Sequence, residues 1–534
     1  MIRRMRSQEF DVVVIGAGLG GLSCAAFLAK QGLRVAVFEQ HYQAGGYCHS
    51  FRRGPYTFDA AIEYIGCCGK EQHVWNALNL IGAERFVTFA EMDPDGFDQC
   101  YFPRHKIAIC KDLDRYRERL VALFPRERQG LQAYFSTLTK IWEEFHAGRV
   151  GMFLWKLKRF PSVCPTLRRS VGKTLADLLD STIKSKSLRA ILAAQSGDYA
   201  LPPSQADLIV HATTVMHFHG GAYYPHGGVQ SLPDGIVRAL ALHGGRLTLR
   251  QGVRRIQVKG DRVVGVELEN GEGIRAKVVI SNADPKKTLL EMLDGNALPP
   301  RWTSRLRKAQ YSLSSFQVYL GVKLDLERLG LKAANYWLCP SYDFEKVYQY
   351  LFQGGIPKKR AYVLVTSPSL KDPSKTLAPL GSHVLKIVTP IAHDRFVNWE
   401  RTRLGRRGAD YKAFKDRFAE ILIDQAEELI PGFRSHIECR VVGTPLTNIA
   451  YTRATQGAMY GFARTPQQSG PLGLSPRTGI RGLYLTGTSV YYPGVLGALA
   501  SGIMSGALIL EDNERVRLFK RSFSFATNST EMGS

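Results

Sequence analysis

Three glycines, Gly16, Gly18 and Gly21, stand at the spacing that lets a backbone hold a pyrophosphate, and the acid Glu39 follows roughly 20 residues on. Each has a mechanical task. Gly16 permits a tight turn, Gly18 lets a phosphate approach the main chain, and Gly21 lets a helix pack close to a strand. A helix is expected over Leu22–Gln31, and the free N–H groups at its start would face the phosphates. Glu39 is placed to accept from ribose hydroxyls and would repel a 2′-phosphate, which disfavours NADP. Ala44-Gly45-Gly46 comes soon afterwards. A second glycine pair brings the chain near the phosphates and ring of FAD; a plain NAD domain has no use for it, although a simple turn would read the same way.

The elements that must position these residues follow from pattern. Asp11–Ile15 is a continuous apolar run, as expected of a buried parallel strand. Leu22–Gln31 is rich in Ala and Leu, and Arg34–Phe38 is a second strand. The chain then leaves and comes back. From Tyr223 a turn feeds an amphipathic helix ended by Gly244-Gly245. The alternating segments Arg246–Leu249, Val253–Val258 and Arg262–Leu268 predict a β-meander, and Lys277–Ile280 is a further strand leading to Ser281-Asn282. Near the end, Ile480–Leu485 predicts a strand that stops at Thr486-Gly487-Thr488. A loop with Gly494 and Gly497 then opens the helix Ala498–Leu510, whose N-terminus can stabilise negative charge on a reduced flavin.

Composition narrows the function classes. With 45% hydrophobic and 22% charged residues the chain is globular, and 534 residues suit two intermixed domains. The net charge of +24 points to an anionic partner. No zinc-finger spacing or RNA-binding motif is present, so we expect an anionic membrane surface and no nucleic acid. Arg149–Lys173 interleaves Met152, Phe153, Leu154, Trp155, Leu157 and Phe160 with Lys156, Lys158, Arg159, Arg168 and Arg169. That mixture suits a lipid interface, and equally a core helix with a basic outer face. Nine scattered cysteines show no metal spacing and fit a reduced, intracellular chain. No secretory signal and no run of eighteen apolar residues is found, so a peripheral membrane protein without a transmembrane helix is expected.

The segments Val12–Glu39, Ala44–Gly46, Phe58–Gly66, Tyr224–Asn282 and Gly482–Gly502 resemble the carotenoid and retinoid branch of FAD oxidoreductases, which includes phytoene desaturase, carotenoid isomerase and retinol saturase. The likeness covers about half the chain. Glu39-Gln40-His41, Ala44-Gly45-Gly46 and His49-Ser50-Phe51 are similar in style to retinol saturase; Thr444–Asn448 and Arg477–Ile480 match the wider group. The resemblance implies cofactor contacts from Gly16, Gly18, Leu19, Gly21, Glu39, Gln40, Gly45, Gly46, Val253, Asn282, Gly487, Thr488 and Val495. This chain departs from the group in having Tyr47 after the glycine pair instead of Arg, and Phe58-Asp59-Ala60-Ala61 in place of Phe-Asp-x-Gly. It also has Glu63 where relatives often carry His or Thr. Glu63 is the candidate catalytic acid, with a hydrogen-bonding structural role as the alternative.

The implied fold is α/β: a Rossmann-type FAD-binding domain, parallel sheet plus β-meander, made of residues 1–69, 223–283 and 441–515. A discontinuous mixed α+β domain, 70–222 and 284–440, would face substrate and membrane, and 516–534 would form a flexible basic tail. His217, His219 and Tyr223 either line an apolar tunnel for a polyene or form an aromatic core edge. The implied chemistry is hydride exchange between flavin and a carbon of a conjugated apolar lipid, by saturation, desaturation or isomerisation, with an external electron donor or acceptor. A flavin amine oxidase and a non-enzymatic prenyl-protein escort of the same fold are the competing readings.

Overall fold

The computed structural model describes residues 9–147, 164–293, 298–356 and 360–512. Its first sheet has β1 (Glu9–Ile15) at the centre. Parallel to β1 lie β2 (Val35–Phe38) on one side and the strand Gly273–Ser281 on the other; Arg246–Thr248 pairs with β2, and Leu483–Leu485 pairs with Gly273–Ser281. The apolar run of β1 is explained by its two covered faces. Val12 and Val14 point into one core cluster, Phe10, Val13 and Ile15 into another. The helix α1 (Leu19–Lys30) and the helix Gly494–Asp512 pack on the first face.

The strand Gly273–Ser281 is forked. Its N-terminal half pairs antiparallel with Arg262–Leu268, and that strand with Val253–Lys259, which makes the meander; its C-terminal half belongs to the parallel layer. Arg246–Thr248 therefore corrects the sequence reading. It is an edge of the parallel sheet, not part of the meander, because its carbonyl at Thr248 takes the Glu39 N–H and aligns it with β2. The strand expected over Ile480–Leu485 is limited to Leu483–Leu485 by a turn at Gly482 (φ +81°).

A second sheet runs in the order Ile437–Gly443, Ser314–Val322, His383–Ile391, Val363–Thr366, Asn335–Leu338, Asp98–Tyr101, Lys106–Ile109. The strand alternation sorts its residues. Phe316, Val318, Leu320, Leu385 and Ile387 enter a core closed by the helix Ala409–Leu429. Ser315, Gln317, Lys386, Val388 and Pro390 are thereby left for the opposite face. Ile437–Gly443 crosses the boundary expected at residue 440, since its first residues pair with the same neighbour as its last.

Gly494–Asp512 is long and apolar enough to cross a membrane by length and composition, with a mean hydropathy of 1.6, but most of its surface is buried inside the fold. Its apolarity is that of a core helix. All nine cysteines are free thiols, eight of them buried. Residues 148–163 of the basic aromatic stretch, and the tail beyond 512, lie outside the described residues.

Candidate functional site

A cavity of about 310 Å³ runs between the two sheets. One end is built by the glycine turns. Gly16 has a positive φ of +89° and donates to Phe38, closing the turn after β1. Gly18 caps α1 without any side-chain bond, so the N–H groups at the start of α1 remain for a ligand. The second glycine pair lies against the first turn: Gly45 donates to the Ala17 carbonyl at 2.8 Å, and a Cβ on Gly46 would stand 3.2 Å from the Gly18 Cα. A Cβ on Gly45 would meet the Cys48 carbonyl oxygen at 2.2 Å, so side chains at these two places would push the second turn away from the first.

Glu39 is buried. Its two oxygens accept from the Ala17 N–H at 2.7 Å and the His41 N–H at 2.8 Å. The acid thus stabilises the turn as well as facing the cavity. Gln40 donates to the Tyr451 carbonyl. His49 hydrogen-bonds the Gly46 carbonyl through Nδ1, and burial pushes its pKa down to about 4. Asn282, held by Ile15 through its N–H, is wedged among Gly18, Gly20 and Gly487. The Gly487 N–H is fixed by Ser501 of the helix Gly494–Asp512.

Of the residues expected to touch cofactor, all but Gly21 line this cavity. Gly21 does the packing task read from the sequence: a Cβ there would meet the Gly16 carbonyl oxygen at 2.2 Å. Glu63 also lines the cavity. Its carboxylate, 15% exposed, is 2.6 Å from the ammonium of Lys386, which is 1% exposed. The sequence leaves Glu63 as a catalytic acid or a hydrogen-bonding group; the fold supplies it with a buried counter-charge from the second sheet. Lys371 donates to the Glu63 carbonyl at 2.8 Å and to Asn335, and burial pushes it down to about 7.

His217, His219 and Tyr223 lie outside the cavity's lining. His217 bonds Thr214 within its own helix, Leu208–Phe218; His219 bonds the carbonyls of Cys110 and Lys111; Tyr223 sits in a strand between Ile65–Gly66 and Phe89–Glu91. Burial pushes both histidines down to about 4, so both are neutral at pH 7.

Sequence reasoning missed Lys386, Asp198, Trp337, Tyr451 and Tyr460. The only sign of Lys386 was a lone lysine within the apolar run His383–Ile391. Asp198 and Gly197 end a short 3-10 turn with no periodicity to mark it. The far wall of the cavity is Trp337, Leu364, Val388, Pro390 and Met459, mostly from the second sheet. Among the described residues no cluster of His, Cys, Asp or Glu could hold a metal ion.

The glycine cradle, the uncapped helix start and the enclosed wedge of Asn282 fit FAD. The family profile described as flavin containing amine oxidoreductase matches residues 19–510. All-trans-retinol 13,14-reductase of Danio rerio is 29% identical, covering 96% of this chain and 88% of that protein. Prolycopene isomerase 1, chloroplastic, of an Oncidium hybrid cultivar is 28% identical, covering 95% and 84%. The crystal structure of an oxidoreductase from Methanosarcina mazei shares the fold, with a TM-score of 0.65 at 18% identity over 94% of this chain and all of that one.

Proposed function

The chain belongs to the flavin containing amine oxidoreductase family and is an FAD-dependent oxidoreductase; from that premise we propose that it acts on a carbon–carbon double bond of a conjugated isoprenoid lipid, a retinoid or carotenoid. The observation that carries this reading is the continuity of one cavity from the glycine turns to an apolar wall of Trp337, Leu364, Val388 and Met459. Such a wall holds a polyene by shape. The similarity to a retinol reductase and a carotenoid isomerase over nearly the whole chain supports the same substrate class.

When bound, the flavin supplies or accepts a hydride. Gly16, Gly18, Gly45, Gly46 and Asn282 would hold its phosphates and adjoining parts, and Glu39 its ribose. The Trp337 wall excludes water. Glu63 with Lys386 places a charged pair at the edge of the cavity, where it fixes polar groups rather than hydrocarbon. Residues 70–222 and 284–440 we assign to substrate, with an anionic membrane as the source of lipid and an external donor or acceptor for the electrons. The net charge supports the membrane part.

The test is to purify the protein with its flavin, extract the lipids that accompany it, and identify them by mass. Incubation with all-trans-retinol and with a carotenoid under reducing conditions follows. We expect a retained isoprenoid lipid and a product that is isomerised or two hydrogens richer. Turnover of amines with no action on either polyene would overturn the reading.

A further inference from the structure

Beside the cavity, one phenol stands between two carboxyl groups. Tyr64 Oη lies 2.7 Å from Asp198 Oδ2 and 3.0 Å from Asp98 Oδ2. A phenol has one proton to give, so it can donate to only one of them. The other oxygen can stay at hydrogen-bond distance only if its own carboxyl carries a proton and donates back. The remaining contacts decide which. Asp98 is wholly buried and accepts from two amides, Gln195 Nε2 at 2.9 Å and Asn335 Nδ2 at 3.1 Å. That is a setting for a carboxylate. Asp198 has no donor other than Tyr64 among the described hydrogen bonds.

We propose that Asp198, which lines the cavity, is held as a protonated carboxylic acid, donating to Tyr64 while Tyr64 donates to Asp98, and that this proton passes to the cavity when the Asp198–Tyr64 hydrogen bond opens. The groups that face Asp198 agree. Asp98, Glu63, Cys100, Tyr64, Tyr199, Tyr348, Tyr362 and Tyr460 are all neutral or acidic. Burial raises both carboxyl groups, but the amides of Asn335 and Gln195 oppose this at Asp98, whereas burial together with the Asp98 charge raises Asp198 well above the carboxylate range. The two ammonium groups nearby donate to other acceptors, Lys371 to Asn335 and the Glu63 carbonyl and Lys386 to the Glu63 carboxylate, and neither bonds Asp198 among the described hydrogen bonds. Tyr64 itself is locked in place by stacking on Phe218, with ring centroids 4.1 Å apart.

The use of such a proton rests on the function proposed above. Hydride addition to one carbon of a double bond, the chemistry a bound reduced flavin would supply, leaves the neighbouring carbon to gain a proton. The Asp198 O–H bond breaks as that C–H bond forms. The new carboxylate accepts from Tyr64 until a proton from water restores the acid.

Infrared difference spectra of the flavin-loaded protein test the assignment without any turnover. The wild type minus Asp198→Asn spectrum at neutral pH should show a protonated-carboxyl band that shifts in heavy water. Its absence, or its appearance only in the wild type minus Asp98→Asn spectrum, would overturn the proposal. Should Asp198→Asn fail to bind flavin, Tyr64→Phe serves: it removes an acceptor of the Asp198 proton, so the band should move to higher frequency, and an unmoved band counts against the proposal. With polyene substrate, Asp198→Asn should lower turnover by about 10²–10⁴-fold at unchanged flavin content. Unchanged turnover overturns the proton-donor role. If the wild type acts on no polyene yet shows the Asp198 band, the acid stands and the substrate class falls.

Discussion

Replacing Gly18 by Val puts a branched side chain into the cradle at a φ of −69° that valine tolerates, so the backbone is not strained. The flavin-to-protein absorbance ratio should fall sharply while cooperative unfolding is kept; full flavin content would mean that the pyrophosphate lies elsewhere. The Glu63–Lys386 pair makes a different forecast. Glu63→Gln leaves a buried ammonium without its counter-charge, and breaking a buried pair costs about 3–5 kcal/mol. The double variant Glu63→Gln/Lys386→Met should recover a large part of that loss in denaturant titrations; additive losses would show that the two are not coupled. Lys371 gives a pH signature. Its pKa is about 7 folded and 10.5 ordinarily, so between those values the unfolded chain binds the extra proton and this group's contribution makes stability rise with pH. Lys371→Met should remove that part of the slope, read from denaturation midpoints across the window. At this scale the glycines and Glu39 were legible because their spacing is local. Lys386, Lys371 and Asp198 were not: each acquires its meaning from a partner more than 100 positions away, and nothing within the strand, short helix or turn that carries it announces the pairing.

The two helices on the first face of the parallel sheet meet through glycine. A Cβ on Gly502 would stand 2.3 Å from the Gly20 carbonyl oxygen and 2.7 Å from the Cys24 nitrogen, both main-chain atoms with little room to yield. Gly502→Ala should therefore destabilise by about 1–3 kcal/mol, the usual cost of overpacking. Flavin affinity should weaken with it, since Ser501 next door holds the Gly487 N–H. A variant with unchanged melting and unchanged flavin affinity would contradict this packing. Most elements were legible from period and punctuation: β1, α1, β2, the meander and the last helix fall within a few residues of their expected places. The assignment of Arg246–Thr248 went astray because alternation marks a strand without saying which neighbour it joins. The second sheet went unread, since its strands are brought together from residues 98 to 443 and share no local motif.

Across the whole molecule the excess of positive charge predicts salt-sensitive attachment to anionic vesicles. Sedimentation with such vesicles should weaken as salt is added, and weaken again when Lys156, Lys158 and Arg159 are replaced by Glu; indifference to both would exclude this attachment. The order of the strands carries one more consequence. β1 pairs early with β2 but finds its second neighbour only at Gly273–Ser281, and that strand finds its other parallel neighbour only at Leu483–Leu485. A ribosome that has completed residue 480 has released glycine turns with no Gly487 to close on Asn282, and an α1 that Ser231–Leu242 covers in part but that still lacks the helix Gly494–Asp512. Long loops must be closed before these contacts repay their entropy, which makes folding slow. The nascent chain consequently completes its synthesis with the part of α1 that meets Gly494–Asp512 still open, in need of a chaperone's cover, and bound flavin can reward folding only after nearly the last strand has emerged.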